Sequence, residues 1–215
     1  MHEMDAMVRV HTWTATEFGL RLAMWASMMI AMMVPTAVPM TLVYASVARK
    51  AQRQGSPIPP AFVFVAGYAA IWGLFSVAAT AAQRSLDQLE LLSPLMRSTS
   101  PALGGAVLIA AGIYQLTPLK EACLEHCRAP AHFFAQHWRS GTLGALRMGS
   151  RLGVYCVGCC WILMGLLFVG GVMNLLWVAA IAVFILLEKI VPHGEAAGRV
   201  AGIGLILAGA VSFAV

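Results

Sequence analysis

The chain has 215 residues, 60% of them hydrophobic and only 11% charged, against roughly 45–50% and about 25% in an average soluble domain. A soluble globule of this composition could not clothe its own surface, so soluble doubly wound sheets and barrels are set aside. The net charge is +5, but the basic residues are dispersed at the ends of apolar stretches, which reads as a topology signal and gives no nucleic-acid surface.

Residues 1–17 are expected to form an outward-facing tail, with His2, Met4, Met7 and His11 as loose candidates for collecting a metal. The apolar stretch after Glu17 runs too long for a secretory signal core and lacks a small-residue cleavage site, so the first span is expected to stay in the mature chain. Charge-free runs cover Leu22 to Ala48, Gln54 to Gln83, Ser98 to Leu119, Leu152 to Leu187 and Val200 to Val215. A membrane helix needs about 20 mostly apolar residues, and these lengths fit.

The run from Leu152 to Leu187 holds 36 residues. As one helix it would measure about 54 Å against a hydrocarbon core of about 30 Å, so it must fold back. Its best turn is Gly170-Gly171-Val172-Met173-Asn174, with Asn174 capping the next span. The expected fold class is an all-α polytopic transmembrane helical bundle, a single membrane domain over residues 1–215. Its spans, about six, fall near 20–47, 60–83, 101–117, 152–170, 173–191 and 198–215. An interfacial helix is expected besides, either in the amphipathic segment Gln83 to Met96, where Leu86, Leu89, Leu92 and Met96 recur at helical intervals, or within residues 121–139.

Pro35 and Pro39 are expected to bend or interrupt the first span. Gly67, Gly73, Gly104, Gly105, Gly165, Gly198, Gly202, Gly204 and Gly209 suggest close helix packing. Arg49, Lys50 and Arg53 follow the first span, and the connection over residues 118–151 carries five basic and two acidic residues. Counting Lys and Arg puts both loops in the cytoplasm and both termini outside. Glu188 and Lys189 then lie at the cytoplasmic rim, where Glu188 would pair with Arg147, Arg151 or Lys189, and His193 reads as interfacial.

The five cysteines form two tight groups, Cys123-Leu124-Glu125-His126-Cys127 and Cys156-Val157-Gly158-Cys159-Cys160. On a helix Cys123 and Cys127 share one face with His126 on the adjoining side, and Cys156, Cys159 and Cys160 share another. Both groups fall at comparable depth, so they can meet. A cluster of thiolates with His126 suits copper(I), with zinc or an iron-sulfur centre as alternatives. Disulfide stapling fits poorly on a reducing side and with an odd cysteine count.

The first span is methionine-rich. Met24, Met28 and Met32 recur every four residues, with Met29 and Met33 beside them; Met28 and Met32 are candidate thioether ligands, although such a stripe is also ordinary packing. Gln115 and Thr117 are placed to hold the thiol segment against neighbouring helices. His132 and His137 lie in the cytoplasmic connection as further imidazoles.

Several segments together resemble a bacterial family of predicted metal-binding integral membrane proteins of unknown function. They are Met24 to Pro39, Gly67 to Trp72, Gly112 to Lys120, Cys123 to Arg128, Tyr155 to Trp161, Met173-Asn174-Leu175 and Glu188-Lys189. The resemblance implies a metal role for Cys123, His126, Cys127, Cys156, Cys159 and Cys160, and extends to Met28, Met29, Met32 and Met33. Near Arg151 many relatives are expected to hold a histidine that this chain lacks.

The function expected is binding of a soft transition metal in metal handling or transport at a bacterial inner (plasma) membrane. Membrane lipid and a membrane or metal-delivery protein are the expected partners. No phosphate-binding loop supplies energy. The alternatives are a membrane thiol oxidoreductase linked to quinone or haem, and an accessory subunit whose metal is structural.

Overall fold

A computed structural model describes residues 13–55, 58–93, 96–192 and 194–214. The expectations for His2, Met4, Met7, His11 and His193 lie outside the described residues. The helices are α1 (Ala15–Arg53), α2 (Ala61–Gln88), α3 (Pro101–Gln115), α4 (Pro118–Arg128), α5 (Pro130–His137), α6 (Gly141–Gly165), α7 (Leu167–Gly170), α8 (Leu175–Ile190) and α9 (Gly194–Ala214). Among the described residues there is no strand beyond one isolated bridge, Leu92 to Ser98.

A capping box starts α1: the Glu17 amide donates to Thr14 Oγ1 at 3.2 Å and the Thr14 amide to Glu17 Oε2 at 2.8 Å, satisfying two donors that the first turn leaves free. The helix then runs through Pro35 and Pro39 without a break. Both prolines lie on the exposed face of a continuous helix, and the expected interruption does not occur. The buried face of α1 carries Trp25, Met29, Met33, Thr36, Met40 and Tyr44.

Four helical segments are long and apolar enough to cross a membrane: α1, α2, the continuous stretch of α6 and α7, and α9. A fifth is counted if α3 and α4, bent by 64° at their junction, form one broken span. The expected count of six is therefore not reached. The shortfall has a physical source, since α8 has 16 residues, or about 24 Å at 1.5 Å rise per residue, and α3 has 15. The fold-back itself falls where the sequence places it. Gly171 takes φ +94°, a conformation that favours glycine, and the Asn174 side chain accepts from the Trp177 amide at 3.2 Å to cap α8.

The expected interfacial segment from Gln83 to Met96 is not one helix. Residues up to Gln88 extend α2, and the chain then turns through Glu90 and Met96, both at φ +55°. Burial explains the ending: Gln83 Oε1 accepts from Trp25 Nε1 at 2.7 Å and its Nε2 donates to Met96 Sδ at 3.2 Å, so this stretch packs inward. Replacing Gln83 with Leu leaves the buried Trp25 donor unpaired. The expected cost is about 1–3 kcal/mol, measured as a lowered thermal unfolding midpoint in detergent. Residues 121–139 form α4 and α5, divided at Ala129 and Pro130.

Two pairs of helices approach to backbone contact. A Cβ on Gly67 of α2 would collide with Leu146 O and stand 3.0 Å from Ser150 N of α6, while one on Gly149 would collide with Phe64 O. The pairs Gly112 with Gly202 and Gly105 with Gly209 join α3 to α9 in the same way. Gly73 and Gly204 meet nothing within 4 Å, so the expected packing role fails for those two. On the outside, large apolar side chains such as Leu74, Leu175, Val200 and Leu207 are exposed.

Candidate metal centre

α4 and α6 pack together, and this contact brings the two cysteine groups into one place. Helical spacing turns Cys156, Cys159 and Cys160 to the same interior face of α6, where all three are buried. Their Sγ atoms lie within 4.8 Å of one another. From α4, buried Cys127 borders the same small cavity as Cys156. Cys123, half-buried, lies over Gly158: a Cβ there would stand 2.7 Å from its sulfur. All five cysteines are free thiols.

The thiols of Cys159 and Cys160 donate to the Cys156 carbonyl at 3.1 and 2.9 Å. Cys156 has a different environment. Lys189 of α8 donates from Nζ to Cys156 Sγ at 2.9 Å and to Thr36 Oγ1 at 3.0 Å. The Tyr68 hydroxyl lies 3.0 Å from the same sulfur and donates to the Met33 carbonyl at 3.0 Å. Lys189 is 8% exposed, and among the described residues no carboxylate pairs with it. A buried ammonium needs a counter-charge, and the groups at hand to supply one are sulfurs. A cavity of about 10 Å³ is bounded by Thr36, Met40, Tyr68, Cys127, Cys156 and Lys189, near the size of one water or ion.

A second buried charge holds α4 in position. Lys120 forms an ion pair with Glu188 in which each side chain is at most 3% exposed, and Gln115 Nε2 donates to the same carboxylate at 3.3 Å. The sequence-based choice of Arg147, Arg151 or Lys189 as the partner of Glu188 is thus corrected to Lys120, which α4 inserts against the start of α9 beside Gly198. Thr117 caps α4 by accepting from the Lys120 amide at 3.4 Å. Arg128 donates to Glu195 and to the Val191 carbonyl at 3.1 and 2.7 Å, fixing the far end of the thiol helix.

The remaining sequence candidates fall elsewhere. The His126 ring stacks on Tyr155 at 4.2 Å between centroids, and its Nδ1 is 2.8 Å from the Ala122 carbonyl; no histidine belongs to the close sulfur group. Met28 is half-buried and Met32 buried. Neither borders the small cavity, to which α1 contributes Thr36, Ala37 and Met40. Tyr68, Thr36 and Lys189 were not recognisable as neighbours of the thiols from spacing alone. The available signal was the Glu188-Lys189 pair near the end of an otherwise uncharged helix, since such charges need buried partners.

Fold and site define an all-helical protein with a buried thiol pocket whose donor set fits a soft metal. A family described as PpoB2, copper chaperone, matches residues 22–212, and the chain belongs to that family. The metal-related part of the resemblance seen in the sequence agrees with it. No curated protein and no solved structure matches the chain.

Proposed function

We propose that this chain is a multi-pass protein of the bacterial inner membrane that holds copper(I) in its thiol pocket and passes it to or from a metal-delivery protein. The observation that carries the reading is the group of three buried sulfurs within 4.8 Å, with Cys127 of a second helix bordering the cavity that Cys156 lines. Thiolates are the preferred ligands of copper(I), which accepts low coordination numbers. Copper(I) held by two thiolates carries one net negative charge, which the Lys189 ammonium cancels. A zinc tetrathiolate would leave an excess negative charge in an apolar interior, at a cost in free energy.

The exposed apolar exterior and the four to five apolar helical segments support lipid as the surrounding medium. The Arg49, Lys50 and Arg53 cluster at the end of α1 favours the cytoplasm for that end of the bundle, where Tyr44 of α1 packs near Phe134 of α5, next to the thiol helix. Half-buried Cys123 stands at the edge of the pocket and would be the first thiol to meet a partner. Met28 and Met32 would serve as thioether contacts on the path from the outer half.

The test is metal analysis of the full chain purified from copper-supplemented cells without chelators. The expected content is about one copper per chain, with most of it lost on Cys156→Ser or Cys159→Ser. Unchanged loading in both variants overturns the site. Disulfides that alternate with quinone redox state, in a chain without copper, would instead identify a thiol oxidoreductase.

A further inference from the structure

Three arginines that the thiol pocket leaves unused line one cavity. It has a volume of about 360 Å³ and lies between the end of α5 and the first turns of α6, with His137, Arg139, Arg147, Ser150 and Arg151 in its wall. Arg21, Arg128 and Arg199 each have a carboxylate partner, whereas among the described residues no carboxylate pairs with Arg139, Arg147 or Arg151. Their own stretch of chain offers none, since no acidic residue stands between Glu125 and Glu188. Arg147 and Arg151 are four apart on α6, where like charges repel across one helical turn. A cavity with three guanidiniums and no internal counter-charge fits an anion, and the paired N–H donors of a guanidinium match phosphate oxygens.

The height of the cavity along α6 selects the source of that anion. The continuous stretch Gly141–Gly170 has 30 residues, or about 45 Å, which covers a hydrocarbon core of about 30 Å and the headgroup layers beside it. Counted back from Gly170, where the chain turns at Gly171, Arg151 lies about 29 Å away. That distance is one core thickness, so Arg151 stands at the level of the lipid phosphates, with Arg147 and Arg139 farther out. Exposed Val154 and Trp161 follow the arginines on the same face of α6, an apolar track that an acyl chain can use and a free phosphate cannot. The Trp138 ring lies 6.1 Å from that of Tyr44, which places the cavity at the same end of the bundle as Arg49, Lys50 and Arg53.

We propose that Arg139, Arg147 and Arg151 hold the phosphate of one anionic phospholipid in this cavity, with an acyl chain along Val154 and Trp161. The inference rests on the membrane reading above and is independent of the copper reading. Basic cavities at the cytoplasmic ends of membrane helices bind anionic headgroups in this way. The bound phosphate supplies the counter-charge that the chain lacks here, relieves the repulsion between Arg147 and Arg151, and bridges the end of α5 to α6.

The experiment uses the full chain in a neutral detergent, mixed with equal amounts of phosphatidylglycerol and phosphatidylcholine of the same acyl chains and read by native mass spectrometry. The expected result is preferential retention of phosphatidylglycerol, falling about fivefold for each arginine removed, in Arg147→Gln and then in Arg147→Gln with Arg151→Gln. The control pair, Arg49→Gln with Arg53→Gln, removes the same charge from the same end of the bundle but outside the cavity, and is expected to leave retention unchanged. Equal retention of the two lipids, or an equal loss in the control pair, overturns the site. Excess inorganic phosphate is expected to displace no lipid; displacement would identify a site for a free oxyanion and overturn the lipid reading. Failure of the membrane reading is separable, because the chain would then not float with phosphatidylcholine vesicles after detergent removal, whereas failure of the arginine site alone leaves flotation intact.

Discussion

Replacing Lys120 with Met is expected to destabilise the protein by about 3–5 kcal/mol, the largest effect on folding of any single change considered. Lys120 and Glu188 are each 2% exposed, and the methionine would fill much of the lysine's volume. The loss is therefore electrostatic: Glu188 keeps only the Gln115 amide at 3.3 Å and becomes an uncompensated buried carboxylate. Removing both charges together, as Lys120→Met with Glu188→Leu, is expected to recover much of the stability, because a buried pair is worth little against apolar packing. The check is the thermal unfolding midpoint of the parent and the two variants in one detergent. Equal midpoints for the single and double variants would reject the account.

Lys189 is expected to behave in the opposite way when it is replaced with Met. Its contacts are Cys156 Sγ and Thr36 Oγ1, and without the ammonium the Cys156 sulfur can take up a proton in the metal-free protein. Loss of the ammonium then strands no charge, and the metal-free variant is expected to be at least as stable as the parent. With copper(I) bound, the thiolate charge loses its partner in a low-dielectric interior. Affinity is expected to fall about 10–100-fold, the range seen when a group that supports metal ligands is removed. Competition against a copper(I) chelator measures the affinity, and the unfolding midpoint of the metal-free chain supplies the control. A variant that loses stability but keeps its affinity would show that Lys189 serves packing alone.

The two lysines show why adjacent charges in a sequence need separate treatment. Glu188 and Lys189 are neighbours in the chain, yet a helix sends successive side chains about 100° apart, one to Lys120 and the other to the thiols. Spacing could say that both charges require partners. It could not name those partners, because Lys120 lies 68 residues from Glu188 and Cys156 lies 33 from Lys189.

Local chemistry explains what was legible. The helical class, the turn at Gly171, the Asn174 cap and the grouping of cysteines on helix faces all depend on residues within a few positions of one another. The span count is not confirmed for a related reason: α3 and α8 form close to their expected bounds but, at 15 and 16 residues, are short for a membrane span. The methionine stripe had the right helix but an uncertain face. Period alone cannot choose between Met24, Met28 and Met32 and the adjacent row, and packing buried Met29 and Met33 together with Met32, while Met24 and Met28 are only half-buried.

The sequence by itself determined that this is an apolar helical protein with two thiol-bearing segments, because composition and periodicity are properties of the chain. Tertiary structure alone decided that Cys127 lines one cavity with Cys156, that Lys189 supplies the positive charge at the pocket, and that His126 turns away toward His132 and His137. Those outcomes depend on which helices lie side by side, and that is set by the backbone approach of α6 to α2 and the insertion of Lys120 beside α9. Contacts between distant segments are chosen by the packing of whole helices, and no local pattern in the chain encodes them.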